Sequence, residues 1–115
     1  MTSVPVRMTV RWCVPPGEAQ SIAAALHPLM MKTRSEPGCT GCSFSTEMGA
    51  LVVIQYNETW TSETDLRRQV RSGRFASLAE LIEHATEDPV IQFLLPEGLR
   101  GLEYAEEVRR SESIF

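Results

Sequence analysis

The sequence predicts an α+β domain of the ferredoxin-like, split βαβ kind, in which a four-stranded antiparallel sheet carries helices on one face. Its 115 residues suit a single domain, and an apolar fraction of 43% suits one packed core. Periodic segments follow in the order strand, helix, strand, strand, helix pair, strand. We therefore expect one domain over residues 1–115, with its core at about 5–97 and a helical tail at about 99–110.

The first strand and the first helix differ in the period of their apolar residues. Apolar and polar residues alternate over Val6–Val14, as in a strand with two unlike faces. The Pro-Pro-Gly segment at 15–17 interrupts that alternation. Over about 18–33 the apolar residues recur every three or four positions, which predicts a helix.

A hairpin is predicted in the middle of the chain. The Ser-Glu-Pro-Gly segment at 35–38 breaks the first helix, because Pro fixes one backbone angle and Gly permits positive φ. Residues 41–47 and 51–60 have strand patterns, and residues 48–50 form a glycine-containing connection short enough for a hairpin. We expect these two strands to pair antiparallel.

Capping signals and helical spacing predict the second half of the chain. Ser62 precedes Asp65 by three positions, a relative of the capping box, and Leu66 and Val70 follow at helical spacing. An Asp-Pro pair at 88–89 ends the next helical run. The remaining predicted elements are a helix over 75–85, a strand over 90–95 and a short helix over 101–110.

Charge and the length of the apolar runs argue against two classes of partner. Eleven Lys and Arg residues are interleaved with fifteen Asp and Glu residues for a net charge of -4, so we expect no nucleic-acid binding. The longest apolar stretches, at 49–54 and 90–95, are too short to span a membrane. Residues 1–10 lack the apolar segment of a secretory signal, so we expect a cytoplasmic protein whose three cysteines are reduced thiols.

Self-association is expected because one face of the predicted sheet has no helices. A short chain buries a modest share of its surface on folding, so further burial between copies would add stability. Apolar residues on the open face would need a cover, and a second copy of the same sheet is the simplest one. We expect a homodimer that pairs through this sheet face.

Four sequence blocks carry a family resemblance. They are Pro-Gly-Glu-Ala at 16–19, Ser-Glu-Pro-Gly-Cys with a following Gly at 35–41, Asn-Glu-Thr-Trp-Thr-Ser at 57–62 and Ser-Gly-Arg-Phe at 72–75. With these blocks the chain resembles, over nearly its whole length, the antibiotic biosynthesis monooxygenase (ABM)-like domains of the dimeric α/β-barrel superfamily. Its last part, 99–109, is similar to the tail of a bacterial subgroup with no settled activity.

The resemblance implies three classes of protein. They are cofactor-free oxygenases of quinols or anthrones, haem-degrading oxygenases, and proteins with no demonstrated reaction. Haem-degrading members carry an Asn, a Trp and a His where this chain has Val10, Gln69 and Ala79, so we do not expect haem degradation. Many quinol oxygenases carry His at the position of Gln69, and an amide cannot accept a proton near neutral pH.

The same resemblance implies a substrate pocket between sheet and helices. The residues that we expect to line it are Trp12, Asn57, Trp60, Gln69, Arg74 and Phe75. The indole N–H of Trp12 or Trp60 can donate to a bound carbonyl, and core packing explains both rings as well. Glu58 and Trp60 share one face of a strand and Asn57 lies on the other, so both faces cannot serve one pocket within the chain. The sequence leaves open which face lines it.

Two further clusters admit a ligand or a structural explanation. Cys39 and Cys42 have the spacing of a metal or redox pair, but a closed zinc site needs two more ligands, and packed thiols explain them too. The four arginines within 67–74 could hold an anionic ligand, or form salt bridges with nearby carboxylates.

The leading functional hypothesis is a cofactor-independent monooxygenase acting on a small aromatic or quinol-like substrate in an apolar pocket, with no metal and no cofactor. The protein would contribute deprotonation, orientation and desolvation. The alternative is a non-catalytic dimeric domain of the same fold that binds a small molecule. A third hypothesis makes Cys39 and Cys42 a thiol switch that alters the dimer.

Overall fold

Five strands and four helices follow one another over the described part of the chain. The structure is a computed structural model that describes residues 4–113, with the backbone alone for residues 112 and 113. In chain order the elements are β1 (Val6–Val14), α1 (Pro16–Arg34), β2 (Cys39–Glu47), β3 (Val52–Trp60), α2 (Glu63–Val70), α3 (Gly73–Ile82), β4 (Val90–Leu95), β5 (Gly98–Arg100) and α4 (Leu102–Ser113). The predicted α+β class and split βαβ order are confirmed.

The strands join one antiparallel sheet in the order β2-β3-β1-β4-β5. It has five strands where four were predicted, because residues 98–100 turn back on β4 and place Arg100 opposite Phe93. Gly98 enters this short strand with a φ of 134°, a conformation that side chains disfavour. A strand of three residues is too short to be recognised by alternation.

Alternation along β1 and β3 separates the two faces of the sheet. The helix-facing side of β1 buries Val6, Met8, Val10, Trp12 and Val14, and that of β3 buries Val52, Ile54, Tyr56, Glu58 and Trp60. The helices add Leu26, Leu66 and Leu78 to the same layer, each buried. The core therefore lies between the sheet and the helices, where both bury their apolar sides.

The predicted helical tail is part of this core. α4 contacts α2 and β4 and buries Tyr104, Ala105 and Val108. The Tyr104 ring packs against Phe93 of β4 with the ring centroids 4.9 Å apart. Within residues 4–113, no helix has both the length and the apolar character needed to cross a membrane.

The other face of the sheet is mostly polar, so the expectation of an apolar open face is wrong. This face presents Arg7, Thr9 and Arg11 from β1, and Gln55, Asn57 and Thr59 from β3. Its apolar residues include Val53, Val90 and Leu94, of which the last two are exposed. Alternation directs the apolar half of each strand to the helices, which leaves the polar half outside.

A tight connection joins α1 to β2. Gly38 adopts a φ of 87°, and its carbonyl accepts the backbone N–H of Thr61 at 2.8 Å. A Cβ atom at this glycine would lie 2.3 Å from the Asp65 carboxylate. The turn therefore needs a residue without a side chain.

β2 begins with a β-bulge that sets the direction of both of its cysteines. Cys39 lies opposite Trp60 and Cys42 opposite Glu58, with the register shifted between Cys39 and Gly41. The extra residue brings both cysteines to the helix-facing side, although residues three apart in a regular strand face opposite sides.

Serine hydroxyls cap α2 and α3. Ser62 Oγ accepts the Asp65 N–H at 3.3 Å, and Ser72 Oγ accepts the Phe75 N–H at 3.4 Å. Hydrogen bonds from the Ser62 and Thr61 hydroxyls lower the pKa of Asp65. The predicted cap at Ser62 is confirmed, and it fixes the start of α2 beside the end of β3.

Candidate functional site

A hydrogen-bonded cluster surrounds one buried carboxyl group. It consists of Cys42, Tyr56, Glu58, Trp60 and Gln69, and we name it the Glu58 network. Oε2 of Glu58 accepts the Tyr56 hydroxyl at 2.6 Å and the Gln69 amide at 3.2 Å. Oε1 accepts Trp60 Nε1 at 2.9 Å, and the Cys42 thiol donates to the Tyr56 oxygen at 3.2 Å. Three donors thus converge on one carboxyl group.

Gln69 of α2 joins the network to two other helices. Its Nε2 also donates to Thr33 Oγ1 of α1 at 3.3 Å, and its Oε1 accepts Arg74 Nε of α3 at 2.9 Å. The Arg74 guanidinium forms a salt bridge with Glu36 at 3.0 Å. Because both polar ends of the Gln69 amide are engaged, the helices are tied to the sheet through this one side chain.

Burial dominates the electrostatics of the network. It raises the pKa of Glu58, and the hydrogen bonds from Tyr56, Trp60 and Gln69 offset only part of the increase. Burial also raises the pKa of Tyr56, and the charge of Glu58 adds to that increase. Glu58 is 1% exposed, so in this structure the carboxyl group contacts protein groups and is closed to a ligand.

The cysteine pair has the features of packed thiols. Burial raises the pKa of Cys42 to about 12. Burial likewise raises the pKa of Cys39, whose thiol donates to the Gly41 carbonyl at 3.4 Å. A thiol that stays protonated is a poor nucleophile and a poor metal ligand. Among the described residues, no group of three or more His, Cys, Asp or Glu side chains could hold a metal ion.

An apolar cavity lies between α3, the segment that leads into β4, and the start of α4. Its volume is about 450 Å³, and we name it the α3–α4 cavity. Its apolar lining consists of Phe75, Ala79, Ile82, Ala85, Pro89, Ile91 and Leu102. Leu102 is 49% exposed in spite of its apolar side chain. A concave apolar surface of this size suits a small aromatic molecule.

The rest of the cavity lining is polar and mainly acidic. It includes Glu83, Thr86, Glu87 and Asp88. The backbone N–H of Thr86 donates to the Cys13 carbonyl at 2.9 Å, and the Thr86 hydroxyl donates to the same carbonyl at 3.3 Å. These two bonds attach the lining segment to the end of β1.

The structure brings together three of the six residues predicted to line a pocket. Trp60 and Gln69 belong to the Glu58 network, and Arg74 is bonded to it through Gln69. Phe75 follows Arg74 in α3 but lines the α3–α4 cavity instead. Adjacent residues of a helix point in different directions, which separates these two neighbours.

The other two predicted residues lie apart from this group. Asn57 is on the open face of the sheet, where its Oδ1 accepts Gln55 Nε2 at 3.1 Å. Trp12 is in the core, and its Nε1 has no hydrogen-bond partner among the described residues. Of the two predicted indole donors, Trp60 is therefore occupied by Glu58, and Trp12 is unpartnered but buried in the core.

Sequence reasoning missed the central role of Glu58 and the contribution of Leu102. A signal for Glu58 was present, because it alternates with Tyr56 and Trp60 on a strand face that is otherwise apolar. A carboxyl group in that position needs hydrogen-bond donors around it. Leu102 carried no such signal, since its role depends on how α4 packs.

The arginines of α2 form local contacts. Arg68 makes a salt bridge with Asp65 at 2.6 Å, as the structural explanation predicted. Arg67 and Arg71 donate to the Ser111 hydroxyl of α4 at 3.5 Å and 3.2 Å. These two contacts join α2 to the end of α4.

Several solved structures share the arrangement of strands and helices. One from Caulobacter crescentus CB15, provisionally described as an antibiotic biosynthesis monooxygenase, is 21% identical with a TM-score of 0.69, covering 81% of this chain and 90% of that one. One from Nitrosomonas europaea with the same provisional description is 10% identical with a TM-score of 0.68, covering 88% and 92%. A protein from Mycobacterium tuberculosis is 23% identical with a TM-score of 0.66, covering 81% and 95%.

These similarities establish the fold alone, because the identities are low. No family model matches the sequence, and no curated protein matches it.

Proposed function

Because the chain has the fold of the ABM-like domains, we propose that it is a cofactor-independent monooxygenase acting on a small aromatic or quinol-like molecule in the α3–α4 cavity. The observation that carries the proposal is the cavity itself, about 450 Å³ in volume with an apolar lining. A planar ring gains free energy by leaving water for such a surface.

The proposed reaction uses O₂ as the oxidant. An anthrone would pass a proton from its ring methylene to a lining carboxylate such as Glu83, which returns it to the oxygen that leaves as water, and the resulting carbanion would give electrons to O₂. One oxygen atom ends in the new ring carbonyl and the other in water, so the electrons lost by carbon reduce both oxygen atoms. The substrate supplies the electrons, and the protein supplies orientation and the exclusion of water.

Groups around the cavity support substrate orientation. Phe75 offers an aromatic ring, and the Glu83 and Glu87 carboxylates are hydrogen-bond acceptors for a substrate hydroxyl. Trp12 is not among the residues that line this cavity and is 2% exposed, so we assign its ring to the core.

The test is O₂ uptake by the purified protein with a panel of hydroquinones and anthrones, with and without a chelator. We expect saturable uptake that the chelator leaves unchanged. Ala79→Phe should fill the cavity and lower kcat/KM by about tenfold or more. Ala24→Phe, at an exposed position of α1, is the matched control and should behave as the wild type. Uptake no faster than the background rate, across the panel and across pH, would contradict the proposal.

A non-catalytic binding domain is the second candidate, and one observation favours it. By the resemblance, Gln69 occupies the position where many quinol oxygenases carry His, and its amide is committed to Thr33, Glu58 and Arg74. An amide cannot act as a general base. Saturable binding of a hydroquinone by calorimetry, together with no O₂ uptake, would identify this function.

We also propose that the chain forms a homodimer through the open face of its sheet. Val53 and Leu94 lie there among polar side chains, a composition that suits a non-obligate interface and is more polar than that of most homodimer interfaces. Leu94→Glu should shift the sedimentation coefficient to that of a monomer. Met48→Glu, in the exposed hairpin connection, should leave it unchanged, and a monomeric wild type would disprove the dimer.

A further inference from the structure

The α3–α4 cavity continues into a groove between α3 and α4. The groove shares Phe75, Ala79, Glu83 and Leu102 with the cavity and adds the apolar side chains of Ala76 and Ala105. Cavity and groove therefore form one elongated apolar surface along α3.

Carboxylates surround this surface. Those that line the cavity or the groove are Glu80, Glu83, Glu87, Asp88 and Glu106. They are exposed, and among the described residues none of them forms a salt bridge within 4.0 Å.

Arg109 is the one cation among the residues that line the cavity and the groove. Its Nη1 donates to the Val70 carbonyl at 2.6 Å, and its guanidinium lies 5.9 Å from the centre of the Phe75 ring. These contacts place the guanidinium between the end of α2 and the Phe75 ring. Five carboxylates against one guanidinium leave the surface with a negative charge.

We propose that the aromatic ligand of the α3–α4 cavity carries an alkylammonium group, with its ring in the apolar lining and the ammonium group facing Glu83, Glu87 and Asp88. This inference rests on the proposed binding function and names the charge of its ligand. Carboxylates within about 8 Å of a cation attract it at physiological salt, since that distance is one Debye length. The same carboxylates repel an anionic aromatic of equal size.

Three probes of one shape and different charge test the proposal. They are naphthylmethylamine, naphthalenemethanol and naphthoate, titrated into the full chain and followed by naphthalene fluorescence. We expect the amine to bind about tenfold more tightly than the alcohol, a difference of about 1.4 kcal/mol, and naphthoate to bind most weakly. The advantage of the amine should shrink as NaCl is raised from about 20 mM to about 500 mM.

Paired substitutions test whether the carboxylates around the cavity cause the preference for the amine. Glu83→Gln with Glu87→Gln should weaken amine binding about fivefold and leave alcohol binding within about twofold. Glu97→Gln, at an exposed carboxylate between β4 and β5, is the control and should leave both unchanged.

The outcomes distinguish the preference for a cationic ligand from the binding of aromatic ligands in general. Equal affinity for the three probes, or tighter binding of naphthoate, would overturn the charge preference while the cavity remained a binding site. Failure of all three probes to bind would overturn both proposals.

Discussion

The Glu58 network buries polar side chains away from water, whereas the α3–α4 cavity leaves apolar side chains exposed to water. In the network, polar side chains are buried, with Glu58 at 1% and Gln69 at 2% exposure. In the cavity, apolar side chains form much of the lining, and Leu102 among them remains 49% exposed. A buried polar group is tolerated only when it is hydrogen-bonded, whereas an exposed apolar group costs little and remains available to a ligand.

This difference assigns the two regions different roles. The network holds α1, α2 and α3 on the sheet through bonds that leave little polar capacity for a ligand. The cavity has apolar surface that the fold itself does not cover. Substitutions in the network should therefore change stability, and substitutions in the cavity should change binding.

The largest effect is expected from Glu58→Ala. Its removal leaves the Tyr56 hydroxyl, the Trp60 indole and the Gln69 amide without their shared acceptor, so the free energy of unfolding should fall by about 3 kcal/mol. Urea denaturation measures this change. Glu47→Ala, at an exposed position of β2, should alter stability by at most about 0.5 kcal/mol. If Glu58→Ala lowers the free energy of unfolding by less than about 1 kcal/mol, the network does not have the stabilising role that distinguishes it from the cavity.

The pH dependence of stability tests the protonation of the same carboxyl group, with the isosteric variant Glu58→Gln as the reference. The pKa of Glu58 is raised in the folded state, chiefly by burial. Its contribution is therefore complete below the unfolded-state pKa and is lost as pH rises through the folded-state pKa. Relative to Glu58→Gln, wild-type stability should decrease with rising pH, by at most about 1.4 kcal/mol per pH unit for one proton. Parallel stability curves for the two proteins, by urea denaturation from about pH 4 to about pH 8, would contradict this expectation.

A smaller loss is expected from Tyr56→Phe. Glu58 keeps its donors Trp60 and Gln69 and loses the Tyr56 hydroxyl, which is also the acceptor of the Cys42 thiol, so stability should fall by about 1 kcal/mol. The control is Tyr104→Phe, whose hydroxyl donates to the partly buried Glu63 and should contribute less. Thermal or urea unfolding of both variants measures the two losses of stability. Equal losses would show that burial does not strengthen the hydrogen bonds of the network.

The smallest effect on stability is expected from Leu102→Gln. Its side chain is half exposed, so stability should change by less than about 0.5 kcal/mol. Affinity for a bound aromatic probe should fall about fivefold, because apolar contact area is lost. Leu99→Gln, an exposed leucine outside the cavity, is the control for binding. A large loss of stability at Leu102 would place it in the core and weaken its assignment to a ligand site.

Local patterns in the sequence were sufficient for most of the fold. The strand over Val6–Val14 and the cap at Ser62 depend only on residues that are close in sequence, and both appear in the structure as predicted. The bulge at the start of β2 was not predictable, because regular alternation places Cys39 and Cys42 on opposite faces. Only pairing with β3 shows that both face the helices.

The site was less accessible to sequence reasoning than the fold. Trp60, Gln69 and Arg74, predicted to line one pocket, lie near one another because the end of β3 leads directly into α2 and α3. Asn57 was included as a polar candidate for the same pocket, although alternation puts it on the opposite face of the sheet. Phe75 and Leu102 both line the cavity, and their proximity depends on the long-range packing of α4, which no local pattern encodes.

The turn at Gly38 restricts how the sequence of this chain can vary. A methyl group there would meet the Asp65 carboxylate and strain a backbone with positive φ. Shortening Asp65 to Ser would remove the first obstacle, but it would also remove the salt bridge to Arg68 and leave the φ angle unchanged. Substitution at position 38 is therefore disfavoured twice, by the Asp65 carboxylate at the beginning of α2 and by its own φ angle, and a compensating change at position 65 would relieve only the first.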